Sequence, residues 1–326
     1  VRHDPRAWVR HAQGEKATTE PVTRRRYVIE PARPASVDVD ELVASIGKKR
    51  PKPPVQTTAV QPWAFVHCVA DWQVGKVSYG QGTEQTIQRI LDGLDASVAR
   101  IKREAKRRPI RTIVLASLGD LCEGVASQNG GVLLASDLGV TEQLRVVRRL
   151  LLEHVKAFAP LAERVLVPTA PGNHDEPHRV LGMKPKAVDS FAIEASMQVA
   201  DALTLAGGYD HVQFFTPEVD DLTVTIEAEG TVIGCAHGHQ FRGPDKAHDW
   251  WAKMGHARHR IGQAHILLSG HFHQLRVTDD SSRVAITAPT VDPGSPWWEH
   301  RGNGISQHGV LTFLTRDGQW TGLEIS

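Results

Sequence analysis

Five apolar runs rich in β-branched residues each give way to a short segment of carboxylate, carboxamide or imidazole side chains. Residues 65–70 lead into Asp71-Trp72-Gln73, and 113–118 into Gly119-Asp120. Residues 165–168 precede Gly172-Asn173-His174-Asp175, and 232–235 precede His237-Gly238-His239. Residues 266–269 precede Gly270-His271-Phe272-His273. Short apolar runs bounded by turn residues are the pattern of buried strands. In open α/β folds, ligands gather beyond the carboxyl ends of such strands. The chain is therefore constrained to a sheet whose strand ends converge on one mixed oxygen and nitrogen cage. That donor set suits two divalent ions.

The remaining periodicity agrees. Residues 83–107 predict a helix, with Ile87, Ile90, Leu91, Leu94, Val98 and Ile101 on one face. Further helices are predicted over 141–158 and 186–203. Strands are predicted over 64–70, 112–118, 164–169, 212–215, 222–228, 231–236, 265–269, 274–278, 284–288 and 309–314. Strands alternating with helices, followed by a strand-rich C-terminal half, predict an α/β layered fold. No internal repeat is visible.

With 326 residues, 40% of them hydrophobic, the chain can bury a sizeable core. Its net charge of +1 conceals an asymmetry. Residues 1–60 hold 12 Lys/Arg against 7 Asp/Glu, and the remainder 26 against 30. We therefore read 1–60 as a basic N-terminal extension and 61–326 as the body. Within the extension, Ser36 starts a short helix that Gly47 ends, and 48–54 reads as a basic, proline-rich linker. The run Arg24-Arg25-Arg26 is either solvated surface or a nucleic-acid contact. Cys68, Cys122 and Cys235 show no CxxC spacing, so a reducing, cytoplasmic setting is expected. No apolar run approaches the roughly 18 residues of a membrane span, and no membrane partner or signal peptide is expected.

Each ligand segment has a bland reading when taken alone. A single Asp at a strand end is more often a cap, Gly-Asp is common, and a lone His is more often core or surface than ligand. The ordered set is specific. It resembles the calcineurin-like metallophosphoesterase superfamily, whose pattern runs Asp-x-His, Gly-Asp, Gly-Asn-His-Asp/Glu, His and Gly-His-x-His. The resemblance covers about residues 63–290. It implies a four-layer β-sandwich flanked by helices, with a dinuclear metal site at the C-terminal edge of the strands.

By that resemblance, a first ion is held by Asp71, Gln73, Asp120 and His273, and a second by Asp120, Asn173, His237 and His271. Asp120 bridges them, and the ions activate a shared water for attack on phosphorus. His174 is the catalytic histidine, stabilising the phosphoryl group or protonating the leaving oxygen. Asp175 is expected to orient His174. Gln73 departs from the family, which usually has His there. A carboxamide oxygen is a harder, weaker donor than imidazole. Three outcomes follow: direct ligation, ligation through a water, or a weakly held first ion. Oxygen-rich ligation tilts preference toward Mn²⁺, with Mg²⁺, Fe²⁺ or Zn²⁺ as alternatives.

For substrate contact the candidates are His239, Arg179, Trp297 and Arg301, the last two in a Gly/Pro-rich loop where Trp beside Arg suits base stacking. Glu123 lies in a loop expected to overhang the ions. The pair Trp250-Trp251 reads as core. The segments around Asp71 and Gly119 look like SbcD-type DNA-repair exonucleases of phage and bacteria. That likeness implies a hydrolase that cleaves phosphodiester bonds in DNA, a nuclease acting as an exonuclease. The acidic body speaks against a second DNA-binding groove. Two alternatives stay open: a phosphatase or phosphodiesterase for small nucleotides or phosphoproteins, and a catalytically weakened nucleic-acid-binding module. DNA is the expected partner. The resemblance allows a homodimer, and the basic Val1 start leaves room for an upstream DNA-binding domain.

Overall fold

Alternation along the first strand shows how both faces of the main sheet become buried. In β1 (Trp63–Val69), Phe65 and Val69 enter one apolar cluster, and Ala64, Val66 and Cys68 enter another on the opposite face. A strand apolar on both faces must sit between two layers. The computed structural model describes residues 38–41, 61–179, 185–280, 282–292, 294 and 307–326, without the side chains of 128, 129, 133 and 134.

Two sheets form the centre. One has six strands in the order β11-β10-β1-β2-β3-β4. Its members are β2 (Ile110–Ser117), β3 (Arg164–Pro168), β4 (Val212–Phe215), β10 (Leu311–Arg316) and β11 (Gln319–Ile325), with β1. The other has five strands in the order β5-β6-β7-β9-β8: β5 (Thr223–Ala228), β6 (Thr231–Ala236), β7 (Ile266–Ser269), β8 (Arg276–Asp280) and β9 (Arg283–Thr287). Strands β1 to β4 run parallel, as do β6, β7 and β9. The sheets pack face to face. Val66, Val114, Leu166 and Phe313 of the first share a cluster with Ile226, Ile233, Leu268 and Ile286 of the second.

Helices cover the outer faces. On the six-stranded sheet lie α1 (Thr83–Glu104), α2 (Val140–Phe158) and α3 (Phe191–Ala206). Helix α1 buries Ile87, Ile90, Leu94 and Ile101, the predicted face. It ends three residues earlier than the periodicity suggests, ahead of a basic run and Pro109, and the residue before proline resists helical geometry. Helix α3 begins later than predicted because a 3₁₀ turn at Ala187–Asp189 precedes it. It closes at Gly207 (φ +68°), whose N–H bonds Leu203 O. The second sheet is covered by α4 (Ala247–His256), where Trp251 packs with Leu267 and Ala285. This helix was not predicted, since only Ala247 and Trp251 in it are buried. Strand β11 was missed for a similar reason: it is a mostly exposed edge strand paired only to β10. The result is the expected α/β architecture, two sheets flanked by helices.

Within the expected extension, Val39 is buried in the cluster under α1 and α2, and Asp40 pairs with Arg145 at 2.5 Å. Residues 1–37 and 42–60, with their arginine run and linker, lie outside the described residues. No described helix is long and apolar enough to cross a membrane. All three cysteines are free and buried.

Candidate metal centre

Parallel strands deliver their C-terminal ends to one edge, and short backbone bonds tie those ends together. Asp71 N–H bonds Gly119 O (3.1 Å), Ala170 N–H bonds Ser117 O (2.8 Å), and Gly270 N–H bonds His237 O (2.8 Å). The segments then turn sharply. Asp71, Gln73, Asp120, His271 and His273 all have φ between 43° and 70°. Left-handed backbone is unfavourable for these residues and persists where surrounding structure over-determines it. Five of the seven expected ligands thus sit at enforced corners. Close approach matters as well: a Cβ on Gly172 would lie 2.1 Å from both Asp120 N and its Oδ1, so only glycine fits.

The side chains converge. His237 Nε2 lies 2.9 Å from Asp120 Oδ2, off the hydrogen-bonding direction, and 4.0 Å from Asp71 Oδ1. His273 Nε2 lies 3.4 Å from Asp71 Oδ1. Asp120, His237 and His271 each offer a ligand atom within 4.8 Å of the others. Among the described residues, Asp71 Oδ1, Asn173 Oδ1 and His237 Nε2 are buried with no hydrogen-bond partner. Leaving such atoms unpaired is costly, and most buried polar groups in proteins are satisfied. Three orphaned ligand atoms from three strand ends fit bound cations.

Neighbouring groups prepare these donors. His237 Nδ1 donates to Leu118 O (2.7 Å), which directs Nε2 at the cage. Asp71 Oδ2 accepts from His271 N (2.8 Å), so Oδ1 faces inward. Asp120 Oδ1 accepts from His174 N (2.6 Å). Burial would raise the Asp120 carboxyl, but His237 and His174 hold it well below the usual carboxylate range. Burial lowers His237, and the carboxylates of Asp120 and Asp71 outweigh it, raising the imidazole to about 9. The cage is thus electronegative. Burial and His237 press His271 down to about 4, keeping it neutral.

His174 stands beside the cage, its Nε2 3.5 Å from Gln73 Nε2. Its Nδ1 bonds Glu123 O (3.0 Å) and lies 3.5 Å from Glu123 Oε2. Burial lowers its pKa, but Asp120 and Glu123 raise it to about 10. The expected orienting partner, Asp175, is engaged elsewhere. Its carboxylate accepts four backbone N–H groups, from Asp120 (2.6 Å), Leu121 and Cys122 (both 3.1 Å) and Gly172 (3.2 Å). Asp175 therefore buckles the Gly-Asp loop to the Gly-Asn-His loop, and Glu123 holds the His174 ring. Sequence distance from His174 misled here: Asp175 is adjacent in the chain, whereas Glu123 arrives from another strand end.

Of the three outcomes open for Gln73, its contacts disfavour direct ligation. Its Oε1 accepts from Lys76 Nζ (2.8 Å), which also pairs with Asp292 Oδ2 (2.5 Å). Neither Lys76 nor Asp292 was singled out in the sequence. Lys76 had a signal, since Gly75-Lys76 closes a turn on Gln73; Asp292 had none. Of the substrate candidates, His239 is half-buried, its ring centroid 5.5 Å from that of His237. Arg179 is exposed and paired to Glu176 at 2.5 Å, a local contact that leaves its phosphate role without support. Trp297 and Arg301 lie outside the described residues. Trp251 is core, as expected, its indole N–H bonded to Ile261 O (2.6 Å).

No family model matches the chain, and no curated protein matches it. Solved structures do. It is similar to Vps29 of Entamoeba histolytica complexed with Zn²⁺, at 15% identity, covering 78% of this chain and 88% of that one, with a TM-score of 0.34. For Vacuolar Protein Sorting 29 of Cryptosporidium parvum the values are 14%, 81%, 97% and 0.36. For an archaeal phosphodiesterase they are 10%, 80%, 99% and 0.35.

Proposed function

We propose that this chain is a metal-dependent phosphoesterase that hydrolyses phosphodiester bonds, with DNA ends as its substrate. The carrying observation is the trio of buried, unpartnered ligand atoms on Asp71, Asn173 and His237. When bound, divalent ions supply water activation and neutralise phosphoryl charge. The chain's own residues do the rest. Asp120, Asn173, His237 and His271 would hold one ion, and Asp71, His273 and Asp120 would hold the other. His174, held through Nδ1 by Glu123, stands beside the cage, where it serves a leaving oxygen. The DNA preference rests on the likeness of the first two motifs to DNA-repair exonucleases and on the basic extension.

The test is nuclease activity with Mn²⁺ on end-labelled single- and double-stranded DNA, beside a chromogenic bis-ester, for wild type and His174→Ala. Stepwise shortening that is lost in His174→Ala is the expected result. Bis-ester turnover with intact DNA would move the assignment to a small-nucleotide phosphodiesterase. Salt-dependent DNA affinity without turnover of either would replace it with a binding module.

A further inference from the structure

The contacts of Lys76 separate this centre from a symmetric pair of metal positions. Lys76 Nζ touches Gln73 Oε1 at 2.8 Å and Asp292 Oδ2 at 2.5 Å, with the lysine and aspartate side chains 14% and 3% exposed. An ammonium has only hydrogens to donate, so the Gln73 atom facing it must be the oxygen. That fixes the amide: the NH₂ group is directed to His174, 3.5 Å from its Nε2. An amide nitrogen offers no lone pair to a cation. Gln73 thus presents its non-ligating end to the site while its ligating atom is engaged by a positive charge.

The clamp is built, not incidental. Lys76 N–H bonds Gln73 O (3.0 Å), closing a turn with Gly75 at its third position and φ +104°, where glycine is favoured. The turn returns the lysine onto Gln73. Asp292 is set by its N–H to Thr290 Oγ1 (2.9 Å), and Thr290 Oγ1 donates to Asp71 O (2.6 Å). Arg89 Nε holds the same loop through Val291 O (2.7 Å). Asp292 Oδ2 also lies 3.7 Å from His273 Nδ1. One carboxylate therefore serves both the lysine and a first-position ligand. Among the described residues, no lysine or arginine bonds Asp120, His237 or His271 at the second position.

We propose that Lys76 is a built-in positive charge at the first metal position, which makes the two positions unequal: one divalent ion is bound tightly and the other weakly. The inference rests on the metal-centre reading above. Its physical basis is direct. A fixed cation repels a divalent ion in a partly desolvated site, and it holds the one available Gln73 donor.

The experiment is Mn²⁺ titration followed by calorimetry and by electron paramagnetic resonance, on wild type, Lys76→Met and Lys76→Arg. Wild type is expected to bind one ion tightly and a second at least about tenfold more weakly. In Lys76→Met the second ion tightens about tenfold and spin-coupled pairs appear at lower Mn²⁺, while the first ion is unchanged. Lys76→Arg keeps the charge and retains the wild-type pattern. Two equally tight ions in wild type would overturn the proposal, as would an unchanged second ion in a folded Lys76→Met. Should Lys76→Met not fold, the wild-type isotherm and Lys76→Gln decide by the same criteria. Asp120→Asn and His237→Ala separate the two failures: if neither reduces Mn²⁺ binding, the metal-centre reading itself is wrong.

Discussion

The two halves of the candidate metal centre are built from the same kind of strand end, yet they end in different electrostatics. At the second position Asn173 Oδ1 and His237 Nε2 are bare, buried donors beside Asp120 and His271, and His237 is braced by a backbone carbonyl. At the first position Asp71 and His273 face the cage, but Gln73 is turned and stoppered by Lys76 and Asp292. A scaffold that positions ligands does not by itself decide occupancy; on the proposal above, the charge of the next side chain outward does.

The comparison can be broken most directly by removing ligands. His237→Ala or Asp120→Asn should weaken the tight Mn²⁺ at least about 100-fold in calorimetry, more than His273→Ala weakens it. Equal losses would erase the asymmetry. A second probe is Gly172→Ala, which drives a Cβ into Asp120 backbone and side-chain atoms. It should cost roughly 2 kcal/mol in urea unfolding and also lower metal affinity, because the bridging residue must move.

A third probe sharpens the first position through pH. Behind Trp72, which lies between Asp71 and Gln73, His154 packs with ring centroids 5.3 Å apart, and His67 lies 5.1 Å from His154. Burial lowers both imidazoles, His154 to about 4 from an ordinary 6.5. The native state keeps His154 neutral while the unfolded chain protonates near 6.5, so stability is full above that value and is lost as pH falls toward 4. The expected loss is roughly 1–2 kcal/mol between pH 7 and 5, read as a fall in Tm. His154→Leu should flatten that slope. The smallest expected effect is Glu123→Gln: kcat falls about three- to tenfold with KM unchanged, since the His174 ring keeps its bond to the Glu123 carbonyl.

Sequence alone determined a great deal. Residues 65–70, 113–118 and 266–269 are apolar on both faces, and that property belongs to the residues themselves. The turn chemistry that follows each run marks Asp71, Gln73, Asp120, Asn173, His237, His271 and His273 as one edge. Helix α4 and strand β11 escaped because each buries too few residues to leave a period. Tertiary structure alone decided which neighbour each ligand would have. Asp175 buckles two loops instead of orienting His174, and Glu123 takes the place beside that ring. Lys76 meets Asp292 across 216 residues of chain, and through that contact Gln73 is turned. Strand identity is a local property of side-chain pattern. Hydrogen-bond partnership depends on which strand ends the sheet order brings together, and local pattern does not encode that order.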